Sequence, residues 1–585
     1  MCGIFGFYLK RKLVEKDINE GIKYLKLLNH RGPDDSGCWY DKEKGIFLGH
    51  NRLAIIDTSK KNSQPFTDGN AVISYNGEIY NYLDIKRKYK HVFNNFKTSG
   101  DTELLIKFWK LKKNEIFNEL DGMFAFAIFD ENKLTLAVDF FGEKPIYYSS
   151  SKDGFYFSSE AEPLIKLLGL KVNNIERNML EFKIFGYINH PQTGYKDLFK
   201  LGPSTIIDVK NDNGKIELNS KKYWVPEERN FSTLKPREIT KENIKTIKNI
   251  LIESIEKRMI SDVPIGLFMS SGVDSTLIAS LIKNDLGYDI DTYTVEFDQN
   301  LIHNESVLAS KISRHLNLRH HILKNSKSQG YNISEMINLY SGELNDNPTI
   351  FSFYKMSMLA KKSLTVAIGG LGGDEIFLGY NRYNFYYKYL RLIKFLRYFK
   401  YLLSFFNHLS IKKISKLNSL CNNLLFVSKK SIYVNYKNLN QLKDLEKKYI
   451  DDISSTFFSG NLNLFLNEVA RYDLDYTMPN SYIPAMELGS MKASVEIRSP
   501  FLNRKLYKYI TENIDQRALI KYGSKFILKS ILKSYIPIEY LNQPKRGFVF
   551  PIKNIVGDEY KSRNQSKLLL RDKIYNLLLN ENSIN

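Results

Sequence analysis

The sequence predicts two domains of different class, an α+β amino-terminal half and an α/β carboxyl-terminal half. Three observations support this. The chain has 585 residues, more than one hydrophobic core serves well. Residues 2–205 are rich in short β-branched or aromatic runs bounded by turn residues. From residue 241 onward the rhythm becomes strand, helix, strand, which marks a parallel sheet wrapped by helices.

In the first half, GIFGFYL, GIFLGHNRLAII, AVISYNGEIY, FAFAIFD, LTLAVDF and GFYFSS read as strands. Helical periodicity is confined to IKYLKLLN and TELLIKFWKLKK. Packed antiparallel sheets with flanking helices are expected. Residues 206–240 are polar, charged and rich in turn formers, and are assigned as the link. In the second half (241–585), PIGLFMS, DTYTVEF, RHHILK and LTVAIGG are the expected strands, with helices at DSTLIASLIKN and ESVLASKISRHLN. Ligands of such sheets bind at the carboxyl ends of the strands. The stretch 380–450 is lysine- and tyrosine-rich. It is read as a basic amphipathic helix packed on its own domain, the competing reading being a helix on a membrane surface.

Composition narrows the function classes. Cysteines stand at Cys2, Cys38 and Cys421 only, with no C-x-x-C spacing, so neither a disulfide framework nor a zinc pattern is implied and a reducing cytoplasm is expected. No signal peptide and no apolar run of membrane-spanning length is present. Lysine and arginine total 85 against 64 acidic residues, a net charge of +21. That favours polyphosphate substrates. It also leaves open a nucleic-acid-binding protein built from degenerate enzyme domains, although no interleaved aromatic–basic motif supports one.

Five separated fragments carry the first candidate site: Cys2–Gly3, LNHRGPDD (28–35), HNRLAIID (50–57), YNGEIYN (75–81) and SGDTE (99–103). Removal of Met1 would leave Cys2 with a thiol and a free amine on one carbon, the amine serving as a base near pH 8. Asn76 and Gly77 offer an amide and a backbone N–H to a tetrahedral oxyanion, about 3–4 kcal/mol per donor. Arg52 suits a carboxylate, and Glu78 and Asp101 an ammonium group. The set describes a pocket for an amino acid whose side chain is attacked. It resembles the class II glutamine amidotransferase domain, over residues 2 to about 200. The resemblance implies an αββα N-terminal-nucleophile (Ntn) hydrolase sandwich and Cys2 as nucleophile. Asn76 and Gly77 would form the oxyanion hole, with Arg52, Asn76, Glu78 and Asp101 around glutamine. His30 is expected to be a hydrogen-bonded support rather than a catalyst.

The second candidate site is Phe268-Met269-Ser270-Ser271-Gly272-Val273-Asp274-Ser275, between a strand and a helix. Small residues let backbone N–H groups approach phosphate, and the helix N-terminus adds a favourable dipole. G-x-x-x-x-G-K-[ST] is absent, so this is no Walker loop. The fragment resembles the pyrophosphate-binding SGGxDS loop of ATP pyrophosphatases, with Ser271 at the first glycine. With IGGLGGDEIFLGYNRY (368–383), MKASVEIRSPFLN (491–503) and SKFILKSILKSYIPIEYLNQPKRGFVFP (524–551), the whole chain resembles glutamine-hydrolysing asparagine synthetase. The resemblance implies ATP and Mg²⁺ as cofactors, glutamine and a carboxylate acceptor as substrates, and a homodimer. Ser270, Ser271, Gly272 and Ser275 would hold phosphate, and Phe268 and Val295 would flank adenine. Gly369 and Gly370 would line the nucleotide or acyl site, Asp274 and Asp374 would hold metal, and Lys525 would be the catalytic lysine.

The resemblance breaks in the second half. Leu371 replaces an acidic residue, Ala485, Glu487 and Leu488 replace a lysine and an Asp-Arg pair, Asn503 an aspartate and Gln543 an arginine. Two expectations follow. One is aspartate-to-asparagine conversion with Glu375 or Glu343 covering for Leu371. The other is the same ammonia delivery to another carboxylate, such as a uronic acid in surface-polysaccharide synthesis.

Overall fold

The structure is a computed structural model. It describes residues 2–93, 95–172, 176–227, 238–297, 305–325, 332–388, 464–541, 555 and 563–581. Most of the basic stretch 380–450, and Gln543 with the KRGF segment, lie outside them.

The amino-terminal domain has two six-stranded antiparallel sheets. The first contains β1 (Gly3–Leu9), β2 (Asp35–Asp41), β3 (Ile46–Arg52), β8 (Tyr147–Ser150), β9 (Gly154–Ser158) and β10 (Phe199–Lys200), in the order β10-β8-β9-β1-β3-β2. The second contains β4 (Phe66–Asp68), β5 (Ala71–Ile79), β6 (Gly122–Asp130), β7 (Lys133–Val138), β11 (Thr205–Asp212) and β12 (Lys215–Lys222), in the order β12-β11-β7-β6-β5-β4.

The period of two along β1 sorts its side chains between faces. Ile4 and Tyr8 join Ile46, Leu48, Ala125, Ala127, Leu136 and Val209 in an interior shared by both sheets. Phe5, Phe7 and Leu9 pack on the other face with Ile18 and Leu25 of the helix Glu15–Leu25. The far face of the second sheet meets Leu105, Ile106 and Trp109 of the helix Thr102–Lys112.

β11 and β12 fall inside the expected link 206–240, which is corrected accordingly. Ile206, Ile207 and Val209 are buried against β7, and the charged residues around them masked the strand pattern.

The carboxyl-terminal domain holds a five-stranded sheet of β13 (Ile265–Phe268), β14 (Asp291–Phe297), β15 (His320–Asn325), β16 (Val366–Ile368) and β17 (Glu496–Arg498). Its order is β15-β14-β13-β16-β17 and every pairing is parallel. The helix Val273–Asn284 follows β13, and Glu305–His315 joins β14 to β15. β13 and β16 are neighbours, so the loops after them, 269–272 and 369–372, open side by side. β17, unmarked in the sequence reading, is a three-residue strand, too short to show a pattern. No described helix is long and apolar enough to cross a membrane.

Candidate active sites at the domain interface

Cys2 immediately precedes β1, an inner strand of the first sheet, and is buried at 7 % exposure. Its nitrogen donates to Asn76 Oδ1 at 2.8 Å. With the amide oxygen so engaged, Asn76 Nδ2 is a buried donor with no hydrogen-bond partner among the described residues. Gly77 follows at φ +148°, where an added Cβ would lie 2.1 Å from the Met123 carbonyl oxygen. Only glycine fits there. Burial pushes the Cys2 thiol up, while a Leu53 backbone N–H and the Arg52 guanidinium pull it down.

Arg52 is fixed on backbone carbonyls, of Ser59 at 2.9 Å and of Asp57. Asp101 accepts from the Tyr75 hydroxyl at 2.7 Å and from Ile79 N–H at 2.8 Å. Glu78 is buried, and burial together with Asp101 and Glu496 holds its carboxyl well above the usual range. Arg498, from β17 of the other domain, stands 3.5 Å from Glu78 Oε1. His30 Nε2 meets Glu160 Oε1 at 2.9 Å, and Arg31 donates from Nε to the Cys2 carbonyl at 3.0 Å.

In the second domain the 270–275 loop is curled by its own serines. Ser275 Oγ accepts from Ser270 N–H at 3.1 Å, and Ser270 Oγ accepts from Gly272 N–H at 3.1 Å. Ser271 does not lie at positive φ, so its backbone has no need of the glycine it replaces. The facing loop is built around Asp274: a Cβ on Gly373 would lie 2.8 Å from the Asp274 carboxylate, and one on Gly370 3.2 Å from Asp274 Cβ. Gly369 N–H donates to Arg498 O at 2.8 Å. Lys525 starts the helix Phe526–Leu532 at φ +60°. Its ammonium reaches Asp374 Oδ1 at 2.8 Å and Asp274 as well, and the two carboxylates raise its pKa against the opposing effect of burial. Phe268 and Val295 share an apolar cluster with Ala367, Met486 and Ile497, and Leu371 packs on it.

The structure thus gathers Cys2, Asn76, Gly77, Glu78 and Asp101 in one place, and Ser270–Ser275, Gly369, Gly370, Asp374 and Lys525 in another. Both residues nominated to cover for Leu371 have side-chain partners of their own. Glu343 is held by Lys200 at 2.8 Å and by Tyr147, and Glu375 by Tyr380 at 2.5 Å. Burial, with Asp374 beside it, raises Glu375 to about 7.

Sequence reasoning missed the charges joining the domains: Arg31 as an anchor, Lys144, Glu160, Glu487 and Arg498. The sequence offers charges inside apolar or tightly turned stretches, DFFGEKPIYY and PAMELGSM, but nothing in it pairs them.

A buried thiol beside an unspent amide donor in one domain, and a serine-curled strand–helix loop with a Lys–Asp pair in the other, define a glutamine-dependent amidotransferase. Comparison with known proteins agrees. Residues 1–224 match the family model described as a glutamine amidotransferase domain, and residues 246–580 match the one described as asparagine synthase. The chain belongs to the asparagine synthase family. Asparagine synthetase (glutamine-hydrolyzing) 1 of Bacillus subtilis is 28 % identical over 575 residues, covering 96 % of this chain and 88 % of its own. A Methanocaldococcus jannaschii relative, provisionally named for the same activity, is 32 % identical over 409 residues, covering 65 % and 76 %. Amidase chry2 of Gibberella zeae is 24 % identical over 612 residues, covering 94 % and 89 %.

Proposed function

We propose that the protein converts aspartate to asparagine through an acyl-adenylate, using glutamine as nitrogen donor and releasing glutamate, AMP and pyrophosphate. The observation that carries this is one residue spanning both sites. The Arg498 side chain faces Glu78 of the thiol pocket, while its carbonyl accepts the N–H of Gly369 in the nucleotide loop.

In this reading residues 2 to about 222 form an Ntn-hydrolase sandwich, supported by two antiparallel sheets with a common apolar interior. With Met1 removed, the Cys2 amine takes the thiol proton. Sγ attacks the glutamine side-chain carbonyl, Asn76 Nδ2 and the Gly77 N–H receive the oxyanion, and the nitrogen takes the proton from the Cys2 ammonium and leaves as ammonia while the thioester forms. Water then releases glutamate. Arg52 grips the glutamine carboxylate; Glu78 and Asp101 grip its ammonium.

In the other domain the acceptor carboxylate oxygen attacks the ATP α-phosphorus and pyrophosphate departs. The serine loop holds the pyrophosphate and Phe268 and Val295 flank adenine. Lys525 neutralises charge on the adenylate and on the tetrahedral adduct formed when ammonia displaces AMP. Asp274 and Asp374 fit Mg²⁺: two hard oxygen donors already converge on one cation, the Lys525 ammonium, and Mg²⁺ sites commonly pair one or two carboxylates with substrate phosphates. The ion would supply charge neutralisation at the departing pyrophosphate. In this reading the protein works in a reducing cytoplasm, which the free thiols of Cys2 and Cys38 support.

A second reading keeps the chemistry and changes the acceptor to another carboxylate, such as a uronic acid. Leu371, packed on the Phe268 cluster where the family resemblance implies an acid, favours it.

Incubation of pure protein with glutamine, ATP, Mg²⁺ and a panel of carboxylic acids tests both readings. Pyrophosphate release strictly dependent on aspartate is expected. Release with a different acid alone moves the assignment to the second reading, and none with any acid removes the synthetase reading altogether.

A further inference from the structure

The two domains meet through buried charges that the chemistry above does not use. Glu487 lies on the helix Ile483–Met491 of the carboxyl-terminal domain. Its Oε1 accepts from Arg31 Nη2 at 2.5 Å and its Oε2 from Lys144 Nζ at 2.8 Å. Arg31 donates from Nε to the Cys2 carbonyl and from Nη1 to Glu160 Oε1, both at 3.0 Å. Arg31, Lys144, Glu160 and Glu487 are each no more than 1 % exposed. His30, Lys492 and the Ser341 hydroxyl complete the surroundings of Glu160.

Lys144 is aimed by a rigid turn. The Asp139 carboxylate accepts backbone N–H groups from Phe124, Phe141, Glu143 and Lys144, at 2.9–3.2 Å.

We propose that Glu487 is a positioning residue for the Cys2 thiol, acting across the domain interface through Arg31. The inference rests on the reading of Cys2 as nucleophile. Its partner on the helix is informative. Met486, one residue earlier, belongs to the apolar cluster of Phe268 and Val295. The same helix is pressed onto its neighbour Thr349–Ala360, where a Cβ on Gly489 would lie 2.9 Å from the Ile350 carbonyl oxygen. Adjacent residues on one rigid helix therefore touch the nucleotide wall and the guanidinium that fixes the nucleophile's backbone.

Desolvation offsets most of the attraction within buried ion pairs, and apolar replacements are often as stable. What such a cluster supplies is a defined geometry, which an attacking atom needs: a misplacement of about 1 Å costs on the order of 100-fold.

Glu487→Gln keeps the shape and removes the charge. In the full-length protein it is expected to lower kcat for glutamine hydrolysis about 10-fold or more, a fraction of the full misplacement cost. KM for glutamine and ammonia-driven pyrophosphate release should stay near wild type. Glu487→Asp, which retains the carboxylate, should recover most of kcat. An unchanged kcat in Glu487→Gln overturns the proposal. So does a parallel loss of both activities with a lowered Tm that Glu487→Asp shares, since that marks a purely structural role. Failure of the underlying reading looks different, as Cys2→Ala would then still hydrolyse glutamine.

Discussion

Replacing Cys2 by alanine is expected to lower glutamine-driven product formation by about 10³-fold or more, as loss of a covalent nucleophile does, while ammonia-driven formation continues. The split follows from the geometry. In the proposed reading Sγ is the attacking atom, and alanine would leave only the Asn76 and Gly77 donors to act on bound glutamine. Among the described residues, the hydrogen bonds of Cys2 go to Asn76, Arg31 and Leu53 and not to the 270–275 loop. Only the side chain changes, so the nitrogen that donates to Asn76 Oδ1 and the carbonyl that accepts from Arg31 both persist and the strand stays in place. Glutamate and pyrophosphate release are measured side by side, once with glutamine and once with an ammonium salt. Undiminished glutamine use by the variant contradicts the assignment of the nucleophile.

Lys525→Met should give the opposite pattern. Pyrophosphate release is expected to fall about 10²–10³-fold with either nitrogen source, the cost of removing one preorganised charge partner from a transition state. Glutamine hydrolysis should persist. Methionine preserves the length and apolar stem of a side chain that is 6 % exposed, so the change isolates the ammonium. It also leaves Asp274 and Asp374 facing each other without the cation that now lies between them. Two like charges in a partly buried site oppose ionisation of both. Glutamate release and pyrophosphate release, followed in one reaction, check the prediction; pyrophosphate release at the wild-type rate contradicts it.

Legibility differed with the kind of signal. β1, β3, β5, β6, β7 and β9 were visible because each alternates or clusters β-branched and aromatic residues between turns. The parallel strands β13–β16 were visible through the helices separating them. The hairpin β11–β12 was hidden by lysine, asparagine and aspartate on its exposed face, and β17 by its brevity.

The proposed site residues were legible where chemistry is local. Cys2, the Asn76–Gly77 pair and the serine loop each carry their meaning within a few positions. Arg31, Lys144, Glu160, Glu487 and Arg498 were not, because their partners lie far away in sequence: Arg31 and Glu487 are 456 residues apart. Leu371 was legible as a departure from the family, but only packing shows it built into an apolar wall. The surroundings of its two candidate replacements were hidden for a similar reason: a glutamate can be named from sequence, whereas the lysine and tyrosines that engage Glu343 and Glu375 cannot.

The proposed function further implies that ammonia freed at Cys2 reaches the adenylate inside the protein, without passing through bulk water. The direct measurement supplies glutamine labelled with ¹⁵N in its side-chain amide together with unlabelled ammonium in increasing excess, and follows the isotope in the amide product. If transfer is internal, the ¹⁵N fraction holds while glutamine is saturating, whatever the external ammonium. A ¹⁵N fraction that falls in proportion to the added ammonium contradicts it.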